Sequence, residues 1–172
     1  MESIIVSTEW LAERLSDPKI KIIEVSSKKG DEAPYFQAHI PGAINFFWKD
    51  LCWHDTDRQF VTPDTLATRL GKVGISDADT IILYGDPVQY GTYAYWALTM
   101  AGHPKTLILD GSRTKWVSEK REVTKDITKT SNTKYNIQKP YDKMRLGREN
   151  LLENIGNTDR FLLDVRSPEE FS

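Results

Sequence analysis

The hydrophobic pattern of the first 120 residues alternates between short apolar runs and segments with apolar positions at helical spacing. Such alternation is typical of α/β proteins, in which helices pack on a sheet. The apolar runs that we predict to be strands are residues 4–6, 20–25, 43–46, 80–84 and 106–109. The fold class predicted from this order is α/β.

Capping residues mark the helices that lie between these strands. Predicted helices cover residues 9–15, 63–72, 92–101 and 113–118. Ser7 or Thr8 caps the first helix, and Thr62 caps the second, which begins with Pro63. A hydroxyl at this position accepts a hydrogen bond from a free backbone N–H, and proline suits the first helical residue.

The alternation of strand and helix patterns stops after residue 120 and starts again near residue 148. Residues 121–144 are polar and rich in lysine, and we predict that they form a linker. A helix is predicted after it at residues 148–155 and a strand at residues 161–165. The chain is therefore expected to contain more than one structural unit.

An internal repeat connects the restart with the beginning of the chain. A shift of 140 residues places residues 9–27 over residues 149–167, and five of the 19 pairs are identical. Because helix falls on helix and strand on strand, the repeat indicates a duplicated domain. We predict a first domain over residues 1–120 and, at residues 145–172, the first helix and strand of a truncated second domain.

Composition and charge narrow the classes of function. The chain has 172 residues, with 23 Lys and Arg against 25 Asp and Glu, so it lacks the positive surface typical of nucleic-acid-binding proteins. No apolar run approaches the roughly 20 residues of a membrane-spanning helix. The first residues lack the basic and apolar regions of a secretory signal. We therefore expect a cytoplasmic protein without a nucleic-acid or membrane partner.

The loop over residues 85–90 is the first candidate site, because it leaves an apolar strand and enters a helix. Backbone N–H groups at a helix N-terminus favour an anion such as sulfate, phosphate or a persulfide. Pro87 removes one of these donors, Asp86 adds negative charge, and no Cys, Ser or Thr stands at the start of the loop. These residues favour the alternative, a plain connection between strand and helix.

Cys52 is the only cysteine, which excludes an internal disulfide and a cysteine-rich metal site. Reactive thiolates lie at helix N-termini or beside cations, whereas Cys52 stands between Leu51 and Trp53 in a segment of weak periodicity. A pair with His54 is disfavoured, since residues two apart seldom face each other. We predict a structural thiol, and neither a metal site nor a cofactor.

Arg166 is a second candidate, because it follows the predicted strand at residues 161–165. Ligands of open α/β sheets gather at the carboxyl ends of the strands. A guanidinium there holds an oxyanion through two parallel hydrogen bonds. A solvated surface arginine is an equally good interpretation from spacing alone.

Several of these segments resemble the rhodanese domain. The resemblance rests on AHIPGAI at residues 38–44, TIILYGD at residues 80–86, LILDG at residues 107–111 with Trp116, and LDVRSPEEF at residues 163–171. The motifs occur in order along nearly the whole chain and are most similar to those of tandem-domain thiosulfate sulfurtransferases.

The resemblance implies a five-stranded, mainly parallel sheet with helices on both faces. It also implies transfer of sulfane sulfur from an anionic donor such as thiosulfate to a thiophilic acceptor, through a cysteine persulfide. Gly85 stands in the place of the catalytic cysteine, so the first domain is expected to be inactive and to need a missing second rhodanese domain. Arg166 matches a substrate-binding arginine, and Asp86 and Tyr90 match loop positions near the partner domain.

Three alternatives remain open at this point. The chain is a non-enzymatic interaction or regulatory module if no catalytic domain accompanies it. The donor is 3-mercaptopyruvate rather than thiosulfate if the loop of the second domain is built for that substrate. A phosphatase-related domain is the third alternative, although the short spacing from Gly85 to Tyr90 resembles the sulfur-transfer loop.

Overall fold

Five strands in the first 141 residues form one parallel sheet in the order β1-β5-β4-β2-β3. They are β1 (Ile5–Val6), β2 (Ile20–Ser26), β3 (Ala43–Phe47), β4 (Thr80–Tyr84) and β5 (Thr106–Leu109). The structure is a computed structural model that describes residues 3–57, 59–159 and 161–171. Its strands confirm the predicted α/β class and the parallel sheet that the resemblance implied.

Five helices pack on this sheet. They are α1 (Thr8–Ala12), α2 (Trp48–Cys52), α3 (Pro63–Lys72), α4 (Gln89–Met100) and α5 (Ser112–Ser118), with 3₁₀ turns at Gly30–Glu32 and Pro34–Phe36. Helix α2 was not predicted, because five residues are too few to show a helical period. Helix α3 has the predicted bounds, and the Thr62 hydroxyl accepts from the backbone N–H of Thr65, as expected of a cap.

The alternation of side chains along the strands gives the molecule two cores. In β2, Ile23 and Val25 face one cluster, which also includes residues of α2, α3 and α4. Ile22 faces the other cluster, where Leu11 of α1 and Trp116 of α5 are buried. Side chains of a strand point to opposite faces in turn, so a sheet covered on both sides reads as a continuous apolar run. Helices therefore lie on both faces, as the family resemblance implied.

The polar segment that follows α5 lies along the first unit. Thr124 and His39 form an isolated antiparallel bridge, and the N–H of Thr133 donates to the carbonyl oxygen of Gly71 at 2.9 Å. The N–H of Tyr141 donates to Met100 at 2.8 Å. We call residues 121–141 the strap. Its composition predicted only a linker, since backbone hydrogen bonds leave no hydrophobic pattern in the sequence.

Three glycines allow the strap to approach so closely. A Cβ atom at Gly71, Gly74 or Gly102 would lie 2.9, 2.8 or 2.5 Å from the carbonyl oxygens of Thr133, Ser131 and Lys139, respectively. Gly74 and Gly102 also have positive φ angles, of +77° and +94°. Gly74 and Gly102 therefore serve both the chain reversal after a helix and the seating of the strap, whereas Gly71, within α3, serves the seating alone.

The second unit, residues 142–172, contains a 3₁₀ turn at Asp142–Met144 and two short helices, α6 (Arg148–Glu153) and α7 (Pro168–Phe171). The strand predicted at residues 161–165 is not formed, and this prediction is wrong for the chain as it stands. Side chains there are 75–100% exposed at Phe161 and Leu162. An isolated strand has no neighbour to pair its backbone groups, so the apolar pattern alone does not produce one. Among the described residues, every helix is too short or too polar to cross a bilayer.

Candidate functional site

The loop over residues 85–90 connects β4 to α4 at the carboxyl edge of the sheet. Its Asp86–Pro87 peptide bond is cis. The N–H groups of Tyr90 and Gly91 donate to the carbonyl oxygens of Pro87 and Val88 within the loop and the first turn of the helix. Pro87 has no N–H to offer. The loop therefore turns part of its donor set inward rather than toward an anion.

Gly85 is buried at the point where the loop leaves β4. A Cβ atom there would lie 2.8 Å from the carbonyl oxygen of Val25 and 3.0 Å from the backbone nitrogen of Gly91. Ordinary Cβ contacts are longer, and both of these atoms belong to the backbone of neighbouring elements. A larger residue at position 85 therefore requires the loop or the first turn of α4 to move.

Ser112 closes the loop from the other side. Its hydroxyl donates to the carbonyl oxygen of Gly85 at 2.7 Å and accepts from the N–H of Gly85 at 3.1 Å. Ser112 is buried and has a φ angle of +57°, in the left-handed region that non-glycine residues seldom adopt. Both backbone groups of Gly85 are thus occupied by one side chain.

Arg113 neutralises the negative charge of the loop. Its Nε donates to the Asp86 carboxylate at 3.2 Å, and its Nη1 donates to the carbonyl oxygens of Pro34 and Ala38 at 2.9 and 2.6 Å. The Thr114 hydroxyl donates to the other Asp86 oxygen at 3.2 Å. Asp86 is therefore a structural anchor of the loop, with its carboxylate paired to Arg113 and Thr114.

A buried acid lies beneath the loop. The Tyr84 hydroxyl donates to the Glu24 carboxylate at 2.7 Å and accepts from the N–H of Ile40 at 3.3 Å. Burial raises the pKa of Glu24, although the Tyr84 hydrogen bond and the charge of Arg113 oppose the shift. Burial, together with the adjacent Glu24 charge, also raises the pKa of Tyr84. This pair joins β2 and β4 below the site.

Tyr90 lies in an aromatic cluster on one side of the loop. Its ring centroid is 5.8 Å from that of Trp48, which in turn contacts Trp53 and Tyr93. The Trp53 indole N–H donates to the Tyr93 hydroxyl at 2.8 Å. Tyr90 is half-buried, so part of its ring is available to a partner on this edge of the molecule.

Cys52 is fully buried at the end of α2. Burial raises the pKa of its thiol to about 12, and the charge of Arg69 only partly opposes this shift. A thiol with such a pKa is protonated near neutral pH and is a poor nucleophile. The buried position agrees with the structural role that we predict for Cys52.

Arg166 lies in the second unit, close to acidic neighbours of its own segment. Its guanidinium donates to both oxygens of Asp164, with Nη2 2.6 Å from Oδ2, and to the carbonyl oxygen of Glu170 at 3.3 Å. The hydrogen bonds from Arg166 lower the pKa of Asp164 to about 2. Arg166 thus lies at the surface, in an ion pair with the Asp164 carboxylate.

Sequence reasoning missed three residues that shape the site, namely Glu24, Ser112 and Arg113. Glu24 is a single acid inside an apolar strand, and this position marks it in the sequence because buried carboxylates are uncommon. Arg113 opens the helix predicted at residues 113–118 and Ser112 precedes it, but a helix start does not reveal which loop the side chains reach. No group of three His, Cys, Asp or Glu side chains within the described parts of the chain is arranged to hold a metal ion.

Comparison with known proteins gives a family match and relatives of greater length. The rhodanese-like domain family matches residues 7–119. A provisionally named thiosulfate sulfurtransferase from Saccharopolyspora erythraea is 37% identical over 99% of this chain, and the sulfur carrier protein TtuD from Thermus thermophilus is 33% identical over 98%. The chain spans 59% of the length of each of these two relatives.

A solved structure shows the same fold. The crystal structure of SseA from Escherichia coli, described as a 3-mercaptopyruvate sulfotransferase with the rhodanese fold, superposes with a TM-score of 0.85 at 21% identity. The match covers 99% of this chain and 68% of that chain. At this identity the similarity shows the fold alone.

Proposed function

Because this chain belongs to the family of rhodanese-like domains, we propose that its first domain is the non-catalytic half of a tandem-domain thiosulfate sulfurtransferase. Residues 1–120 form that domain, and residues 145–172 begin the catalytic domain. Residues 121–144 link the two. The observation that carries the proposal is Gly85. It follows Tyr84 where the family resemblance places the catalytic cysteine, in a loop packed too closely for a side chain.

The proposed reaction of the complete protein is two nucleophilic displacements on sulfur. A cysteine thiolate attacks the outer sulfur of thiosulfate, the S–S bond of thiosulfate breaks, and sulfite leaves. The acceptor, for example cyanide, then attacks the outer sulfur of the persulfide, so thiocyanate leaves and the thiolate is restored. Amide dipoles of the catalytic loop stabilise the sulfur anions, and neither metal nor cofactor takes part.

In this proposal Arg166 binds the anionic donor. Its guanidinium carries the positive charge that thiosulfate requires, and the donor takes over hydrogen bonds that the guanidinium now makes to Asp164. Asp86 and Tyr90 lie at the carboxyl edge of the first sheet, and in this proposal Tyr90 takes the place of the family's loop aromatic near the sulfur of the second domain.

Of the two candidate donors, we propose thiosulfate rather than 3-mercaptopyruvate, because relatives at 34–37% identity carry thiosulfate in their names. A non-enzymatic interaction module is the second candidate, and the packed Gly85 loop favours it for this chain on its own. The cytoplasmic location stays a prediction from the sequence.

A cysteine placed at position 85 tests the non-catalytic assignment. We expect Gly85→Cys in a Cys52→Ala background to form no persulfide with thiosulfate and to give no thiocyanate with cyanide. The Cβ atom has no room, and Pro87 has no N–H to offer to a sulfur anion. Mass spectrometry of the protein and a thiocyanate assay provide the two readouts.

Gly85→Ala in the same background is the matched control, because it adds the same Cβ atom without the thiol. The free energy of unfolding of this control, followed by tryptophan fluorescence, shows how much stability the added Cβ atom removes. The two activity readouts are taken at a temperature at which both variants are folded. Turnover by the cysteine variant would show that the first loop is a competent cradle, and the proposal would then be wrong.

A further inference from the structure

A crevice of about 390 Å³ lies at the amino edge of the sheet, opposite the loop over residues 85–90. It exists because β1 is short. Ile5 and Val6 pair with Ile108 and Leu109, so among the described residues the amino half of β5 has no partner strand on the β1 side, while β4 pairs with it on the other side. Thr106 and Leu107 of β5 line the crevice.

The body of the crevice is apolar and aromatic. Trp10 from α1 and Tyr95 from α4 contribute its rings, and Ile20 and Leu107 contribute aliphatic surface. Pockets for small organic ligands have volumes of roughly 300–1,000 Å³ and combine such walls with a few polar groups. The crevice is at the lower end of that range and suits a ligand with one small apolar body.

Thr106 provides an unpaired polar group beside these walls. Its side-chain oxygen is buried and has no hydrogen-bond partner among the described residues, and the residue is only 7% exposed. Buried hydroxyls in folded proteins are nearly always paired, because an unpaired one loses its bond to water without replacement. A rotation about χ1 exchanges the hydroxyl and methyl positions of a threonine, so an acceptor in the crevice is able to restore the lost bond.

The charge at the crevice is positive. Lys105 lines it, no carboxylate does, and no ion pair holds the Lys105 ammonium among the described residues. His103 also lines the crevice, but its ring nitrogens are engaged by the Tyr135 hydroxyl at 2.7 Å and the carbonyl oxygen of Asp79 at 3.1 Å. Lys105 is therefore the cation that is free to meet a ligand.

We propose that this crevice is a binding site for a small monocarboxylate with an aromatic or branched aliphatic body. The body lies between Trp10 and Tyr95, and the carboxylate meets the ammonium of Lys105 and the hydroxyl of Thr106. This site is separate from sulfur transfer, since it is at the opposite edge of the sheet from Gly85.

Titration with phenylacetate tests the site. In amide chemical-shift mapping of the full chain, we expect saturable shifts at Trp10, Thr80 and residues 105–107, and none in the loop over residues 85–90. Phenylacetamide has the same ring but no charge, and it is expected to bind at least about tenfold more weakly, as the loss of a charged hydrogen bond predicts. Equal binding of the two compounds, or no saturation by phenylacetate, would overturn the proposal.

Two variants separate the polar contacts. Lys105→Gln and Thr106→Val are each expected to raise the dissociation constant of phenylacetate, by about tenfold and about fivefold. Lys72→Gln, which removes an exposed lysine outside the crevice, is the control and should leave it unchanged. If Thr106→Val raises the melting temperature and leaves phenylacetate binding unchanged, the hydroxyl is only an unpaired group of the core and the proposal is wrong.

Discussion

Residues 9–27 and residues 149–167 have similar sequences and different structures. In the first segment, α1 leads into β2, which is hydrogen-bonded on one side to β3 and on the other to β4. In the second, α6 forms but the following apolar residues do not pair with a strand. The helix can satisfy its own backbone, whereas a strand needs neighbours. The comparison shows that this repeat specifies a helix locally and a strand only through its partners.

The same comparison applies to charge. Glu24 and Asp164 occupy equivalent positions in the repeat. Burial in β2 raises the pKa of Glu24, while the Arg166 guanidinium lowers the pKa of Asp164 to about 2. Two carboxyl groups at one place in the repeat are therefore shifted in opposite directions by their surroundings.

The largest expected difference between the segments comes from an identical pair, Leu11 and Leu151. Leu11 is fully buried and Leu151 is 38% exposed. We expect Leu11→Ala to lower the free energy of unfolding by about 2–5 kcal/mol, because it opens a cavity in the core. Leu151→Ala is expected to change it by less than about 0.5 kcal/mol.

Urea unfolding followed by tryptophan fluorescence measures both changes. All five tryptophans precede the strap, so the signal reports the first unit. A loss of stability of that unit after Leu151→Ala that equals the loss after Leu11→Ala would contradict the difference in packing.

Two glycines, one packed under the strap and one in open space, test how firmly the strap is seated. Ala at Gly102 would place its Cβ atom 2.5 Å from the Lys139 carbonyl oxygen, whereas Gly42 has nothing within 4 Å. Both glycines have positive φ, so the backbone cost is shared and about 1 kcal/mol. We expect Gly102→Ala to cost about 1–2 kcal/mol more than Gly42→Ala, measured by the same unfolding curves. Equal costs would show that the strap is displaced without penalty.

The smallest expected effect is a dependence of stability on pH. Because the folded pKa of Glu24 lies above its ordinary value of 4.5, the folded state binds the extra proton. Its contribution to stability is present below about pH 4.5 and is lost as the pH rises through the raised value. Glu24→Gln keeps an acceptor for Tyr84 and should remove this decline, measured as the difference between the two unfolding profiles.

Carboxyl titration by NMR tests the opposite pKa shift, that of Asp164. Asp164 is expected to titrate near pH 2, well below Glu24, and its ion pair with Arg166 should persist until the pH falls toward that value. Similar midpoints for the two groups would contradict the assigned surroundings.

Apolar periodicity and capping predicted most of the fold because both are local signals. The five strands of the first unit lie within two residues of their predicted bounds, and Pro63 begins α3 as expected. The strap and the missing strand at residues 161–165 were not predictable in this way. The strap is held by backbone hydrogen bonds to His39, Gly71 and Met100, and the strand depends on neighbours that the local sequence does not contain.

The candidate site was predictable in position but not in detail. The strand predicted at residues 80–84 and the motif around Tyr84 located the loop, and the residue types at positions 85–87 indicated that it is unsuited to catalysis. Ser112, which holds the backbone of Gly85, and Arg113, which pairs with Asp86, belong to a helix 27 residues further along the chain. Such contacts depend on the three-dimensional arrangement of β4 and β5, which no spacing in the sequence encodes.

Sulfur transfer by the chain itself tests the central claim most directly. The measurement is thiocyanate formation from thiosulfate and cyanide by the 172-residue chain, with a full-length relative as the positive control. We predict no turnover above the uncatalysed rate, because Gly85 offers no nucleophilic side chain and burial raises the pKa of the Cys52 thiol to about 12. Turnover by the chain alone that disappears in Cys52→Ala would contradict the account.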